Sequence, residues 1–155
     1  EVWTNPWGHV LLSVLLRGSW VPFHQGHSNG QLTYHLPLSL PGKGAELAVV
    51  ERGGTLPDER ATRGALLSHP EERVFNWSPG QTLVFDDSFT HAVRFRADEA
   101  EEAEPEARVV LLMRGWHPEL AAAEREALRS FMRKGGEEEP EGYELLPLGR
   151  SAFGF

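Results

Sequence analysis

Cysteine is absent from the 155 residues of this chain, and its absence removes several kinds of chemistry at once. Without thiols the protein has no disulfide framework, no thiolate metal site and no cysteine nucleophile. A metal site in this chain would therefore have to be built from histidine and carboxylate side chains. The lack of cysteine also leaves the cellular compartment undetermined.

The chain is also short of basic residues. Its 15 Lys and Arg stand against 23 Asp and Glu, which gives a formal net charge of −8 at pH 7. A nucleic-acid-binding protein normally presents a basic face, so we expect no nucleic-acid partner. Peptides or proteins that are neutral or cationic, and small molecules, fit this charge better. The sequence leaves the oligomeric state open.

Long hydrophobic runs are missing too. Val10–Leu16, apolar except for Ser13, is far too short to cross a bilayer, so we expect no membrane segment in this chain. The first residue is Glu rather than Met, and a piece of a longer protein would have lost any targeting signal or anchor. The localisation therefore stays open: cytoplasmic for a bacterial protein, or the lumen of the endoplasmic reticulum for a trimmed eukaryotic domain.

What the sequence does contain is a series of short apolar segments with the patterns of β-strands. The 40% of hydrophobic residues, with five Trp and eight Phe, can form a real core. Apolar runs, and alternation of apolar with polar residues, predict strands, and Pro37 confines its strand to an edge or a bulge. The predicted strands are Val10–Leu16, Gln31–Leu40, Ala45–Glu51, Thr82–Phe85, His91–Phe95 and Val109–Met113.

One helix and two polar excursions complete what we predict to be a single domain over residues 1–155. Pro118–Lys134 is predicted to be helical, because its apolar residues can share one face. Residues 52–73, rich in Gly, Pro and charge, are a predicted insertion with one helical turn near Ala61–Ser68. Residues 97–107 are a predicted solvated acidic loop. Many short strands and one late helix predict a mainly β fold, a sandwich or jelly roll with a C-terminal helix.

Three histidines lie on or beside the predicted strands: His24, His35 and His91. Imidazole is the commonest neutral metal ligand at physiological pH, and strands can aim such side chains into the mouth of a barrel. A single histidine in a small domain is nevertheless more often a structural residue with satisfied hydrogen bonds. Each of the three is a candidate ligand, and for each the structural alternative stays open when it is considered alone.

The turn before His91 makes this histidine the strongest of the three candidates. Asp86, Asp87 and Ser88 place two carboxylates and a hydroxyl just ahead of it. These groups could stand behind the histidine and fix its tautomer, or they could cap the turn. Arg108 begins an otherwise apolar strand, where its guanidinium could clamp a carboxylate through two hydrogen bonds or simply lie at the rim.

A carboxylate is missing where an iron site would often supply one. In the stretch HQGH at 24–27, the residue two positions after His24 is Gly26, which has no side chain to offer a metal. A His-x-Asp pair on a strand is a common start of an iron site. The stretch is therefore a damaged metal motif, a loop that happens to hold histidines, or a site that works without the acid.

Several separated motifs carry a family resemblance. They are FDDSFTHAV at 85–93, the arginine at 108 followed by an apolar strand, WHPEL at 116–120 and, upstream, RGSWVPFHQGHSNGQLTYHLPL at 17–38. In this order they resemble the aspartyl/asparaginyl β-hydroxylase family of Fe(II)- and 2-oxoglutarate-dependent oxygenases. The resemblance runs from about Ser13 to about Leu120, which is most of the chain.

The resemblance implies a double-stranded β-helix, the cupin-like form of the jelly roll, with an iron site made by two histidines. It places the iron ligands on His24 and His91, with water in the third position. It places Arg108 and Ser13 at the distal carboxylate of the co-substrate 2-oxoglutarate, and His35 at the proximal one. On this view the glycine in the HQGH stretch is expected.

The reaction that the resemblance implies is hydroxylation of an unactivated C–H by O₂, with release of succinate and CO₂. The implied substrate is the β-carbon of Asp or Asn in a peptide or protein, with a free amino acid or a lipid acyl chain as alternatives. The chain departs from the family pattern at Thr33, where members often carry an arginine, so co-substrate binding would depend more on Arg108. The regions 52–73 and 97–107 are longer than usual and would border the substrate cleft.

Three other functions compete with hydroxylation. Gly26 also leaves room for chloride, as in iron halogenases. A non-catalytic binding module of the same fold is slightly favoured by Thr33 and opposed by the presence of His24, His91 and Arg108. A zinc site is the weakest alternative, because two histidines without cysteine or a close carboxylate leave zinc short of ligands.

Overall fold

The computed structural model of this chain describes residues 10–26, 28–41, 43–50, 68–96 and 106–134. The chain forms two compact units, Glu1–Leu120 and Ala121–Phe155; the strands lie in the first unit and the helix in the second. The elements found within the described residues are β1 (Val10–Leu16), β2 (Trp20–His24), β3 (Gln31–Ser39), β4 (Ala45–Val50), β5 (Glu72–Asn76), β6 (Leu83–Phe85), β7 (His91–Phe95), β8 (Ala107–Trp116) and α1 (Ala122–Lys134).

The strands form two four-stranded antiparallel sheets. One sheet has the order β1-β8-β3-β6 and the other the order β2-β7-β4-β5. Except for β4 and β5, consecutive strands along the chain alternate between the two sheets, which is how a jelly roll winds. The prediction of a mainly β, double-stranded β-helix fold with a C-terminal helix is confirmed.

The core lies where inward-facing apolar side chains of the two sheets meet. Successive side chains of a strand point to opposite faces of its sheet, so each strand contributes every second residue. The main cluster of buried residues is Leu15, Leu47, Val49, Trp77, Val93, Phe95 and Val110. A smaller cluster joins Phe23, Ala48, Val50 and Ala92, on the alternate positions of β4 and β7. The central strands of the second sheet are thus buried on both faces.

Strand β3 is central in its sheet, and its proline lies where pairing becomes irregular. It pairs with β8 from Gln31 to Ser39 but with β6 only from Thr33 to His35. The register with β8 shifts between Pro37 and Ser39. A proline has no N–H to give to a neighbouring strand, so it is tolerated at such an irregularity. The predicted bulge at Pro37 is confirmed.

Arg94 is a buried cation with a full set of anionic partners. Only 4% of its side chain is exposed, and its Nη1 donates to both carboxylate oxygens of Glu72 at 3.0 and 3.1 Å. Its Nη2 also lies 3.3 Å from Glu46. The three residues belong to β7, β5 and β4, so the charges hold neighbouring strands together. Buried arginines are normally compensated in this way.

Two strands and both ends of a third were not predicted. β2 is short and contains Pro22, and β5 begins with Glu72 and Arg73, at the end of the predicted insertion. β8 extends beyond Val109–Met113 in both directions, to Ala107 and Trp116, because polar Arg108 and Arg114 continue its pairing with β1 and β3. Hydrophobicity alone does not mark such residues as strand.

The helix begins later than predicted. It starts at Ala122 rather than Pro118, because the N–H of Leu120 donates to the carbonyl of His117 at 3.1 Å and closes a turn first. The Glu124 carboxylate accepts from the N–H of Ala121 at 2.7 Å, which satisfies one of the free donors at the helix start.

Several predictions lie outside the described residues. These are most of the insertion at 52–73, with nearly all of the helical turn at Ala61–Ser68, and most of the acidic loop at 97–107. The single-domain assignment over 1–155 stays a prediction. In the part of the chain that the structure describes, no helix is long and apolar enough to cross a membrane.

Candidate active site

His24 and His91 lie side by side at the ends of two paired strands. His24 ends β2, His91 begins β7, and the two are partners in the antiparallel pairing of these strands. Their ring centroids are 4.1 Å apart, with 52° between the ring planes. The register of the pair shifts between Val21 and His24, and such an irregularity re-aims the side chain that follows it.

Backbone carbonyls set the tautomer of both rings. Nδ1 of His24 is 2.8 Å from the carbonyl oxygen of Pro22, and Nδ1 of His91 is 2.8 Å from that of Phe89. A carbonyl can only accept, so each Nδ1 carries the hydrogen, and in the neutral ring Nε2 keeps its lone pair. No described residue forms a hydrogen bond with either Nε2. Two adjacent lone pairs of this kind are suited to binding a divalent metal.

The electrostatics keep the ring of His91 neutral. Burial, and then the neighbouring His24, lower the pKa of His91 from 6.5 to about 4. At neutral pH its ring is therefore uncharged and able to ligate. Among the described residues no group of three or more His, Cys, Asp or Glu could hold a metal. The described chain thus offers two nitrogen ligands side by side and no third ligand beside them.

Asp87 occupies the space beside Gly26. A Cβ placed on Gly26 would lie 2.3 Å from Oδ1 of Asp87 and 2.5 Å from its Cγ, closer than real Cβ contacts. The N–H of Gly26 donates to the backbone carbonyl of Asp87 at 2.6 Å, which holds the two residues together. Position 26 therefore accepts no side chain while Asp87 is in place.

The carboxylate of Asp87 is buried and held from one side. Its Oδ2 accepts from the hydroxyl of Thr33 at 3.0 Å and lies 3.4 Å from Nη2 of Arg114. Its Oδ1 is buried without a hydrogen-bond partner among the described residues. Asp86 has another role: its Oδ1 accepts from the N–H of Ser88 at 2.9 Å and caps the turn.

Arg108 forms the other end of the site. Its side chain is only 1% exposed, Nη2 donates to Oγ of Ser13 at 2.9 Å, and the guanidinium carbon lies 4.7 Å from the ring centroid of Trp77. Nε and Nη1 are buried without a hydrogen-bond partner in the described chain. Burial lowers the pKa of Arg108 to about 10, so it stays protonated at neutral pH.

His35 lies between the two ends. Its ring stacks on Trp77, with centroids 5.8 Å apart and 19° between planes, and meets Phe85 edge-on at 5.2 Å. Phe85 in turn meets the ring of His91 at 5.2 Å. Burial first, and then the charge of Arg108, lower the pKa of His35 from 6.5 to about 3. A continuous series of rings therefore joins the arginine to the histidine pair.

The structure brings together the residues that the sequence singled out, in two groups. One group is His24 and His91, with Asp87 beside the adjoining glycine; the other is Arg108 with Ser13, and His35 lies between them. Asp86 and Ser88 are the exceptions: the carboxylate of Asp86 accepts from the N–H of Ser88 within the turn.

Two residues of the site were missed. Trp77 follows β5, a strand that was not predicted, and nothing in the segment NWSPG indicates a buried aromatic. Arg114 lay beyond the predicted end of β8, yet it follows Arg108 by six residues. An even spacing along a strand places two side chains on the same face. Extending the strand would therefore have identified Arg114.

Replacing Gly26 tests the contact with Asp87. Gly26→Ala should lower the free energy of unfolding by about 1–3 kcal/mol, because the new Cβ overlaps the carboxylate. In an Asp87→Ala background most of that cost should disappear, since the overlapping atoms are gone. Chemical denaturation of the four proteins measures both costs. An equal cost in the two backgrounds would contradict the described packing.

The buried imidazole of His35 predicts a pH-dependent stability. Its pKa is about 3 in the folded protein and 6.5 as a free side chain. Between these values the unfolded state binds a proton that the folded state does not. Stability of the metal-free protein should therefore fall as the pH drops below about 6.5, by up to about 1.4 kcal/mol per pH unit from this group.

Urea denaturation across this pH window provides the measurement. His35→Gln should give a shallower dependence on pH than the unchanged protein. Equal slopes for the two proteins would show that His35 titrates alike in both states.

Comparison with known sequences agrees with this geometry. The sequence profile of the family described as Aspartyl/Asparaginyl beta-hydroxylase matches residues 1–118. Aspartate beta-hydroxylase domain-containing protein 2 of Xenopus tropicalis is 36% identical over 131 residues, which cover 84% of this chain and 28% of that protein. Its human counterpart is 37% identical over 124 residues, which cover 80% of this chain and 27% of that protein.

More distant proteins are also similar to this chain. The mouse protein named Aspartyl/asparaginyl beta-hydroxylase is 27% identical over 121 residues, which cover 78% of this chain and 13% of that protein. A crystal structure of AviO1 from Streptomyces viridochromogenes Tue57 has a TM-score of 0.46 and 18% identity, over 72% of this chain and 53% of that one. The chain spans less than a third of the length of these curated relatives. Its family is clear: it belongs to the aspartyl/asparaginyl β-hydroxylases.

Proposed function

We propose that this chain is a hydroxylase that uses Fe(II), 2-oxoglutarate and O₂ to hydroxylate an unactivated C–H. The observation that carries the proposal is the buried charge of Arg108, which no described carboxylate neutralises. A series of rings joins this arginine to His24 and His91, two histidines that can bind a metal. The family supports hydroxylase chemistry. The cofactor, the co-substrate and the substrate are our inference from the site.

The contrast between two buried arginines supports a carboxylate ligand. Arg94 and Arg108 are 4% and 1% exposed, and Arg94 lies against Glu46 and Glu72. Arg108 has one hydroxyl and the face of a tryptophan, and no carboxylate among the described residues. An uncompensated buried charge is costly unless an anion binds it. A carboxylate that accepts hydrogen bonds from one edge of this guanidinium would supply the missing negative charge.

Iron(II) fits the histidine pair. Nδ1 of His24 and of His91 is bonded to a backbone carbonyl, which leaves Nε2 of each ring to face a metal, and the low pKa of His91 keeps its ring neutral. Neutral imidazoles without thiolates suit divalent iron. His24 and His91 would hold the metal as its two protein ligands, and its other positions would be open to the co-substrate and to oxygen.

Asp87 favours water over chloride at the position that Gly26 leaves open. Its Oδ1 is buried beside Gly26 and has no partner among the described residues, so it could accept a hydrogen bond from a bound water. A chloride ion at the same place would be repelled by the carboxylate. This arrangement disfavours the halogenase alternative.

The roles of the residues follow from their places in the site. Iron, when bound, would supply activation of O₂ coupled to decarboxylation of 2-oxoglutarate: the substrate C–H, O₂ and 2-oxoglutarate give C–OH, succinate and CO₂. Arg108 and Ser13 would hold the distal carboxylate, and His35 would lie along the co-substrate. The rings of Phe85 and Trp77 would exclude water from the space between the two ends.

The substrate assignment rests on the family alone. The name of the mouse relative refers to aspartyl and asparaginyl side chains, and we infer that the β-carbon of such a residue in a peptide or protein is hydroxylated here. The contacts that hold Arg108 and the two histidines in place do not involve that substrate. Turnover of 2-oxoglutarate in its absence is therefore the first activity to measure.

Succinate formation tests the proposal. The protein is loaded with Fe(II) anaerobically and given 2-oxoglutarate and then O₂, with and without Asp- and Asn-containing peptides. Arg108→Ala should raise the 2-oxoglutarate concentration for half-maximal rate at least about tenfold while Fe(II) still binds. His91→Ala should abolish Fe(II) binding.

Arg96→Ala provides the control for the arginine variant. Arg96 is 60% exposed and pairs with Glu46 away from the site, so its loss should leave the 2-oxoglutarate requirement unchanged. Absence of succinate from the unchanged protein under every condition would leave a binding module as the better account.

A further inference from the structure

Trp77 contacts both of the side chains that would hold the co-substrate. It follows β5 of one sheet, whereas His35 and Arg108 belong to β3 and β8 of the other sheet. Its ring stacks on His35 with 5.8 Å between centroids, and the guanidinium carbon of Arg108 lies 4.7 Å from its centroid. Trp77 therefore fixes both groups from the opposite sheet.

Packing explains the ring of Trp77 but not its N–H. The side chain is 7% exposed and belongs to the main hydrophobic cluster. Its Nε1 is buried with no hydrogen-bond partner among the described residues. A buried indole N–H usually finds an acceptor, and leaving one unpaired is costly. A purely structural role leaves this donor unexplained.

Three unsatisfied donors of the site occur together at its Arg108 end. Nε1 of Trp77 and Nε and Nη1 of Arg108 are all buried without described partners, on two side chains in van der Waals contact. The hydroxyl of Ser13 marks the same end of the site, because it accepts from Arg108 at 2.9 Å. N–H groups that lie this close together, two of them on a cation, can bind an anion with several acceptor lone pairs. A carboxylate is such an anion.

We propose that Trp77 is a co-substrate-binding residue, whose indole N–H donates to the carboxylate held by Arg108. The inference rests on the proposed function and extends it. The ring face positions the guanidinium by a cation–π contact, and the N–H gives the carboxylate an additional hydrogen bond. Through its stacking on His35, the same ring also positions the residue that lies along the co-substrate.

The indole N–H itself can be observed. The full chain is labelled with ¹⁵N-tryptophan and loaded with Zn(II), a diamagnetic substitute for Fe(II), and 2-oxoglutarate is added. Trp77→Phe assigns the indole signal. That signal should move downfield on addition of 2-oxoglutarate, because the N–H gains a charged acceptor.

Affinity measurements provide the second test. Trp77→Phe keeps an aromatic ring and removes the N–H, and calorimetry should show about tenfold weaker binding of 2-oxoglutarate to the Zn(II)-loaded protein. Trp116→Phe is the matched control, since Trp116 is a buried tryptophan that makes no described contact with Arg108 or His35. Its affinity should stay within about twofold of the unchanged protein.

The outcomes separate this inference from the proposed function. An unmoved Trp77 signal while calorimetry shows 2-oxoglutarate binding overturns the inference alone. Unchanged affinity of Trp77→Phe does the same, and the proposed function then stands on Arg108. If the unchanged Zn(II)-loaded and Fe(II)-loaded proteins both fail to bind 2-oxoglutarate, the proposed function fails and this inference fails with it.

Discussion

The carboxylate of Asp87 lies where a side chain at position 26 would have to be, and the histidine end of the site is organised around that contact. The backbone of Asp87 accepts from the N–H of Gly26, and its side chain accepts from Thr33 and faces Arg114. These contacts join the segment after β2, the turn between β6 and β7, and two strands of the other sheet. A glycine at 26 is thus required by packing. If a metal binds His24, the acid nearest to the open position comes from a neighbouring turn.

The other end of the site depends on a buried cation. A guanidinium that is 1% exposed and lacks an anionic partner among the described residues would be a liability in a protein built only for stability. Arg94 shows how the same fold neutralises a cation that has a structural role, with two glutamates on adjacent strands. Arg108 instead lies against an aromatic face and has no carboxylate partner among the described residues. This difference between the two arginines indicates that Arg108 binds a carboxylate ligand. The argument does not depend on the identity of the substrate.

Much of this could be predicted from the sequence, and the failures have physical causes. Apolar runs and alternation identified β1, β3 and β7, because burial on one or both faces leaves a direct trace in residue type. β2 escaped because it has five residues and one of them is Pro22. The motifs identified His24 and Arg108. Trp77 could not be identified in this way, because its place in the site depends on which strands face each other across the sandwich. The adjacent pair Asp86 and Asp87 could not be separated by residue type, since only the turn geometry decides which carboxylate is buried.

Iron affinity of a protein with an acid restored at position 26 tests the central claim most directly. Gly26→Asp would place two carboxylates in one space, so Fe(II) should bind at least about tenfold more weakly than in the unchanged protein. Removing the competing group in Gly26→Asp/Asp87→Gly should restore or exceed the original affinity, with Asp87→Gly alone as the reference. Anaerobic titration with Fe(II), after unfolding curves have established that each variant folds, gives the values. Tighter Fe(II) binding by Gly26→Asp alone would show that the space at position 26 is free, and would contradict the account.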